Sequence, residues 1–115
     1  MSLKIEDLAC SHCGKNGTIH SWFEKLDMIF YFMGWKANRL LSGYRCEAHE
    51  RAVGGTGRNH PKGFAADVRV SPGAELKEFM AVVFSRDVRR LIVYPGRGFV
   101  HIDDNPDRPE GLWFG

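Results

Sequence analysis

Two stretches, RLIVYP (90–95) and GFVHID (98–103), constrain the fold more than any other part of the sequence. Both are short, apolar and rich in β-branched or aromatic residues, a composition typical of strands. They are joined by Pro95, Gly96 and Arg97, and a Pro-Gly pair between two such runs is typical of a tight turn. The pattern therefore predicts a β-hairpin whose two strands pair antiparallel.

Further strands are predicted at NRLLSGYR (38–45) and FAADVRV (64–70). Apolar residues recur every three or four positions from Thr18, the predicted N-cap, to Gly34, and again over 73–88. Both of these segments are predicted to be amphipathic helices. Clustered strands on a short chain favour an α+β fold, in which the helices pack on one face of a mainly antiparallel sheet.

The chain has 115 residues, which fits a single domain over residues 1–115. Residues 1–17 are predicted to form an irregular arm. GLWF near the C-terminus is predicted to cover the core, with a wall of a binding cleft as the alternative. The formal net charge of +2 gives no sign of a nucleic-acid partner. Because no apolar run resembles a membrane span or the core of a signal peptide, we expect no membrane insertion and no export signal. We expect a monomer.

Three polar residues in or near the predicted strands are candidates for a metal site. Asp67 stands between apolar neighbours, so its carboxylate must face solvent, accept strong hydrogen bonds or bind a cation. His101 shares a strand face with Phe99 and Asp103. Together with His60, these residues could supply two imidazoles and a carboxylate, the ligands of an open catalytic zinc site. The alternatives are a surface histidine and a metal-free domain in which these groups only form hydrogen bonds.

The cysteines suggest a second constellation of ligands. Cys10-x2-Cys13 in the arm pairs with Cys46-x2-His49, which together would make a closed, structural zinc site of the Cys3His type. Such a site would attach the arm to the turn that carries Arg45. An odd number of cysteines, three, cannot form a complete disulfide framework and fits a reduced compartment. A single disulfide, within the arm or from arm to turn, and free thiols remain alternatives.

The run SGYRCEAHERAVGGTGRNHPKGFAADVRV, continued by YPGRGFVHID, resembles the zinc D-alanyl-D-alanine carboxypeptidase family and its phage endolysin relatives. That family shows a Ser-Gly-Tyr-Arg turn, a Val-Gly-Gly, a Ser-x-His-x-x-Gly-x-Ala-x-Asp motif and a late strand with a histidine. The resemblance spans roughly residues 8–104, with the motifs in the family's order. It implies a fold shared with the hedgehog signalling domain. It also implies that zinc is bound by three residues: His60, Asp67 and His101.

The resemblance further implies that Arg45 holds a peptide carboxylate, a task suited to a bidentate guanidinium, with a structural ion pair as the alternative. The sequence departs from the family at two positions. Arg58 stands where a serine is usual, and Gly98 stands where many relatives place the acidic general base. Asp103 is then the candidate proton shuttle. A carboxylate that only hydrogen-bonds His101 is the alternative.

The expected function is hydrolysis of a peptide bond in peptidoglycan stem peptides, either as a carboxypeptidase or as an endolysin-type endopeptidase. One zinc ion would be catalytic and a second would be structural. The resemblance to phage lysins predicts a protein made in the cytoplasm that acts on the cell wall after phage-assisted release or from a virion. The alternative is a catalytically inactive zinc module, like the hedgehog domain, that binds wall peptide or a protein partner.

Overall fold

The computed structural model describes residues 2–55 and 59–115. Within these ranges the chain forms three α-helices and five strands. The helices are α1 (His20–Met33), α2 (Glu47–Ala52) and α3 (Ala74–Ser85). The strands are β1 (Leu40–Ser42), β2 (Ala65–Arg69), β3 (Arg90–Tyr94), β4 (Phe99–Asp103) and β5 (Gly111–Phe114).

The five strands form one sheet in the order β1-β2-β4-β3-β5. The first three pairings in that order are antiparallel, and only β5 runs parallel to its neighbour β3. The predicted hairpin is confirmed as β3–β4, joined by a 3-10 turn at Pro95–Arg97 and closed by Gly98, whose φ of 71° is left-handed. The α+β prediction with a mainly antiparallel sheet is therefore confirmed.

The core lies between one face of the sheet and the helices α1 and α3. Alternate residues of the central strands point toward it, because successive side chains of a strand face opposite sides. Each fully buried large apolar side chain contributes roughly 1.5–3 kcal/mol. The principal core residues are Trp22, Phe23, Leu26, Ile29, Phe30, Ala66, Val68, Phe79, Val83, Leu91, Val93, Val100 and Ile102.

The strand register places the polar residues together on the opposite face. Asp67 of β2 pairs with His101 of β4, and Asp103 of β4 pairs with Arg90 of β3. Since these positions alternate with the core residues, their side chains point away from α1 and α3. The sheet thus has an apolar face for folding and a polar face available for chemistry.

Two local predictions are wrong. Helix α1 begins at His20 with Ile19 as its N-cap, because the backbone N–H of Thr18 is held in a local turn by the Asn16 side chain at 3.1 Å. GLWF does not cover the core but forms the edge strand β5, in which Trp113 is 39% exposed and Phe114 67% exposed. Backbone pairing to the open edge of β3 places this segment, rather than burial of its side chains.

The N-terminal arm is more ordered than predicted. It contains a 3-10 turn at Ile5–Leu8, and Leu3 and Leu8 are buried in the core. The backbone N–H groups of Ser2 and Leu3 donate to Asp27 Oδ1 at 2.9 and 2.7 Å. Across the described ranges, no helix has the length and apolar character needed to cross a membrane.

Candidate metal centre and its cleft

Three elements bring the predicted metal ligands together. His60 lies on a 3-10 turn, Asp67 on β2 and His101 on β4, and one ligand atom from each lies within 4.8 Å of the others. Both histidines are buried, and the three residues line a cleft of about 390 Å³ on the polar face of the sheet. The structure therefore assembles the donor set that spacing and resemblance predict, while metal binding itself stays a prediction.

The tautomer of His60 is determined by its backbone contact. Its Nδ1 lies 2.7 Å from the carbonyl oxygen of Gly43, and because a carbonyl only accepts, Nδ1–H is the donor. Nε2 then faces Asp67 Oδ2 at 3.4 Å. A side chain at Gly43 would meet the Leu8 backbone at 2.9 Å, so glycine is required for this close approach. The turn thus directs the second nitrogen of His60 toward the cleft.

His101 lies between two carboxylates. Its Nδ1 is 2.9 Å from Asp67 Oδ1, and its Nε2 is 2.7 Å from Asp103 Oδ2. Burial lowers the pKa of His101, but the hydrogen bonds with Asp103 and Asp67 outweigh burial and raise the pKa to about 9. Burial also raises the pKa of Asp67, yet hydrogen bonds with the two imidazoles hold that pKa well below its usual range.

These contacts fit a zinc ion. Two imidazoles and one carboxylate are the protein ligands of open zinc sites that keep a position for water or substrate. Metal-bound histidines usually donate their other ring N–H to a carbonyl or carboxylate. Here the carbonyl of Gly43 serves His60 and the carboxylate of Asp103 serves His101. Both imidazoles are therefore oriented for ligation by contacts on the side away from the ligand cluster.

Asp103 has a different position from the one expected of a proton shuttle. Its side chain is fully buried, and it is not among the described residues that line the cleft. It accepts hydrogen bonds from His101, from Arg90 Nε at 3.2 Å and from the backbone of Asn105 at 3.0 Å. Burial raises its pKa, but these hydrogen bonds lower the pKa overall. These surroundings favour the alternative that Asp103 orients His101.

Arg45 lies in the cleft beside the ligand cluster. One terminal nitrogen is 3.2 Å from Asp67 Oδ2 and the other is 3.3 Å from Glu50 Oε1. Its Nε is buried and has no hydrogen-bond partner among the described residues. Two carboxylates therefore hold the guanidinium in place at the wall of the cleft.

Two features of the cleft were not predicted from the sequence. Glu50 of α2 is only 4% exposed and lines the cleft, yet nothing in a six-residue helix distinguishes it from the exposed Glu47. At the rim, Tyr94 stacks on Phe99 with ring centroids 4.7 Å apart, and Arg97 lies over Phe99 at 5.2 Å. The aromatic residues flanking the basic hairpin turn were a signal that could have identified this rim.

The cysteines also come together. The sulfur atoms of Cys10, Cys13 and Cys46 lie within 4.8 Å of one another, and all three are free thiols. His49 Nδ1 lies 3.5 Å from Cys10 Sγ. His12 is exposed, and its Nδ1 lies 3.8 Å from Cys46 Sγ.

The two departures from the family pattern have different outcomes. Gly98 ends the turn between β3 and β4 in a left-handed conformation, and it offers no acidic side chain there. The departure at Arg58 lies outside the described residues, as does the rest of segment 56–58.

An α+β fold that brings two histidines and an aspartate together in a cleft defines the class of protein with a candidate metal-binding site on its sheet. A family model described as Peptidase M15 matches residues 2–103, nearly the whole chain, and the chain belongs to that family of zinc-dependent metallopeptidases. No curated protein matches the chain, and neither does any solved structure.

Proposed function

We propose that this protein is a zinc-dependent peptidase that hydrolyses a peptide bond in peptidoglycan stem peptides, as a carboxypeptidase or an endolysin-type endopeptidase. The observation that carries the proposal is the open ligand set of His60, Asp67 and His101 in a cleft, with Arg45 bonded to Asp67. Membership of Peptidase M15 supports the peptidase chemistry and the wall substrate.

The three ligands would hold the zinc ion by two imidazole nitrogens and one carboxylate oxygen. When bound, zinc lowers the pKa of a coordinated water and polarises a carbonyl group. Asp103 would act through His101, because its hydrogen bond fixes the ring and increases the basicity of the other nitrogen.

Arg45 would bind a carboxylate of the substrate. Its guanidinium is already held by Asp67 and Glu50, so little side-chain freedom is lost when the substrate binds. A carboxylate bound there lies next to a metal ligand, which positions the neighbouring peptide bond at the reactive centre.

Glu50 would move the proton that peptide cleavage requires at the leaving amine. Among the described residues that line the cleft, the carboxylates are Glu50 and the proposed ligand Asp67. Position 98 is a glycine and carries no acidic side chain, and Asp103 is buried and hydrogen-bonded to His101. Glu50 is therefore the group best placed for proton transfer.

The test is cleavage by the purified full chain supplied with zinc. Defined stem peptides and intact peptidoglycan would be incubated with the protein, and the products identified by mass spectrometry. Release of a terminal amino acid identifies a carboxypeptidase, whereas internal fragments identify an endopeptidase. We expect His60→Ala to abolish turnover and His20→Ala, a change at an exposed histidine of α1, to retain it. Equal turnover in the two variants would overturn the proposal.

The second candidate is a catalytically inactive zinc module that binds wall peptide or a protein partner. It is favoured by Gly98 and by the buried position of Asp103. Zinc bound at the cleft and stem-peptide binding without cleavage would support this candidate and overturn the peptidase.

A wall substrate implies action at the cell wall. The proposal therefore includes delivery after phage-assisted release or from a virion, and added protein should reduce the turbidity of cells whose outer barrier has been removed. Intact walls under these conditions, together with cleavage of isolated stem peptides, would contradict this place of action alone.

A further inference from the structure

The N-terminal arm and the turn carrying Arg45 meet at three thiols. We call Cys10, Cys13 and Cys46 the cysteine cluster. Their sulfur atoms all lie within 4.8 Å of one another, and Cys10 is buried. At a zinc–sulfur distance of about 2.3 Å, tetrahedral ligands lie about 3.8 Å apart, so small side-chain rotations bring the three sulfurs to one ion.

The first half of the cluster is a tight turn in the arm. The N–H of Gly14 donates to the Cys10 carbonyl at 2.8 Å, and the N–H of Cys10 donates to the Lys15 carbonyl at 2.7 Å. Gly14 takes a left-handed φ of 78°, which glycine allows without strain. The turn points backbone N–H groups of residues 12 and 13 at the Cys10 sulfur. Such donors stabilise a thiolate, the form of cysteine that binds metal.

The pKa of the Cys10 thiol is consistent with the hydrogen bonds around its sulfur. Burial raises the pKa of the Cys10 thiol, but hydrogen bonds from backbone N–H groups and from His49 outweigh burial and lower the pKa to about 5.

The second half of the cluster begins helix α2. Cys46 is its N-cap, and the N–H of His49 donates to Cys46 Sγ at 3.4 Å. His49 Nδ1 lies 3.5 Å from Cys10 Sγ. In a zinc tetrahedron with Zn–S of about 2.3 Å and Zn–N of about 2.0 Å, the sulfur–nitrogen separation is also about 3.5 Å. The position of His49 is therefore that of a fourth ligand.

We propose that Cys10, Cys13, Cys46 and His49 Nδ1 bind a structural zinc ion that is separate from the cleft. Four protein ligands would close the site to substrate, so the ion would stabilise structure rather than take part in catalysis.

The zinc would hold the part of the chain that supports the cleft. Cys46 directly follows Arg45, and the N–H of Tyr44 donates to the carbonyl of Leu8 in the arm at 2.8 Å. The intervening turn also contains Gly43, whose carbonyl orients His60. Joining the arm to this turn therefore fixes the backbone that carries Arg45 and that supplies the Gly43 carbonyl to His60.

Metal content and cobalt spectra test the proposal on the full chain. Zinc-loaded, reduced protein should contain about two zinc ions, and both His60→Ala and Cys13→Ser should lower this to about one. Cys13 is exposed, so its hydroxyl variant leaves the core intact. Cobalt in place of zinc should give a near-ultraviolet sulfur-to-metal band in the wild type and in His60→Ala. The band should be much weaker in Cys13→Ser, and a wild type without the band would overturn the proposal.

A matched pair of variants tests the fourth ligand. His49→Ala should change the visible cobalt bands, whereas His12→Ala, a change at an exposed residue, should leave them as in the wild type. The reverse result would overturn the role of His49. Should the cysteine variants not fold, titrating wild-type protein with a mercurial thiol reagent should release about one zinc ion. Release of none would overturn the cysteine site and leave the proposal for the cleft intact.

Discussion

Asp103 shows how one residue acts through another. Its side chain is buried and does not line the cleft. Its carboxylate hydrogen-bonds both His101 of its own strand and Arg90 of the neighbouring strand. The pairing of a carboxylate with the far nitrogen of a histidine orients the ring and increases its affinity for a metal ion. A substitution of Asp103 is therefore expected to lower the zinc affinity of the cleft directly and to lower turnover as a consequence.

Asp103→Asn should weaken zinc binding at the cleft by about 10–100-fold, because the amide retains the shape but not the charge of the carboxylate. The measurement is a competition titration with a zinc chelator on folded protein. Asp107→Asn, at an exposed position of the same segment, is the matched control and should bind zinc as the wild type does. Unchanged affinity together with a lost pH-dependent rate would instead return Asp103 to the role of proton shuttle.

Substitution of Glu50 tests the proposed proton transfer to the leaving amine. Glu50→Gln keeps a hydrogen-bonding oxygen for Arg45 but cannot carry a proton, so kcat should fall by about 10²-fold or more. Zinc content and substrate KM should change little. Glu47→Gln, at an exposed position of the same helix, is the control. A kcat within twofold of the wild type would mean that Glu50 only positions Arg45.

At the scale of elements, much of the fold follows from local patterns. The alternation of apolar and polar residues in GFVHID predicted that Phe99, His101 and Asp103 share a face, and the hairpin brings that face beside β3. A hairpin register also pairs Arg90 with Asp103, so this ion pair was within reach of sequence reasoning.

Other elements depend on contacts between distant parts of the chain. Glu50 enters the cleft because α2 packs beside the 3-10 turn that carries His60, and β5 forms because β3 has an open edge. A short helix and a tail carry too little periodicity to reveal such partners. Spacing suggested the cysteine set through its Cys-x2-Cys and Cys-x2-His pairs, whereas the resemblance to the peptidase family was needed to predict His60, Asp67 and His101 as one set.

The contact between the start of α3 and the turn before β1 should make stability depend on pH. Arg39 donates to Glu75 Oε1 at 2.6 Å and Oε2 at 3.2 Å, and these hydrogen bonds, with that from Ser71, hold the Glu75 pKa below its ordinary value. A lowered folded-state pKa gives stability that is present above the unfolded pKa and is lost as the pH falls through the folded pKa.

Glu75→Gln should therefore lower the free energy of unfolding by about 0.5–1 kcal/mol at pH 7 and by much less at pH 3 or below. Urea unfolding at the two pH values measures the difference. Glu78→Gln, on the same helix and exposed, should show no such pH dependence. An equal loss of stability at both pH values would mean that the contact acts by packing rather than by charge.

At the scale of the whole molecule, positive charge is concentrated where the substrate would bind. The formal net charge is only +2, yet four arginines line the cleft, against the carboxylates of Glu50 and Asp67. The arginines are Arg45, Arg90, Arg97 and Arg108. Arg90 is neutralised by Asp103, whereas Arg97 lies on the aromatic rim. A cleft of this kind should favour peptides that carry free carboxylates and should bind them more weakly at high salt.

The sharpest test compares a stem peptide with its C-terminal amide. If Arg45 binds the terminal carboxylate, amidation should raise KM for the wild type by about 10–100-fold, the range expected for a charged hydrogen bond. For Arg45→Gln the two peptides should have nearly equal KM, because the group that distinguishes them is absent. Arg97→Gln is the control, since it lowers the charge of the cleft without removing the contact beside Asp67. A preference for the acid that survives in Arg45→Gln would place carboxylate recognition elsewhere in the cleft and leave Arg45 as the ion-pair partner of Asp67 and Glu50.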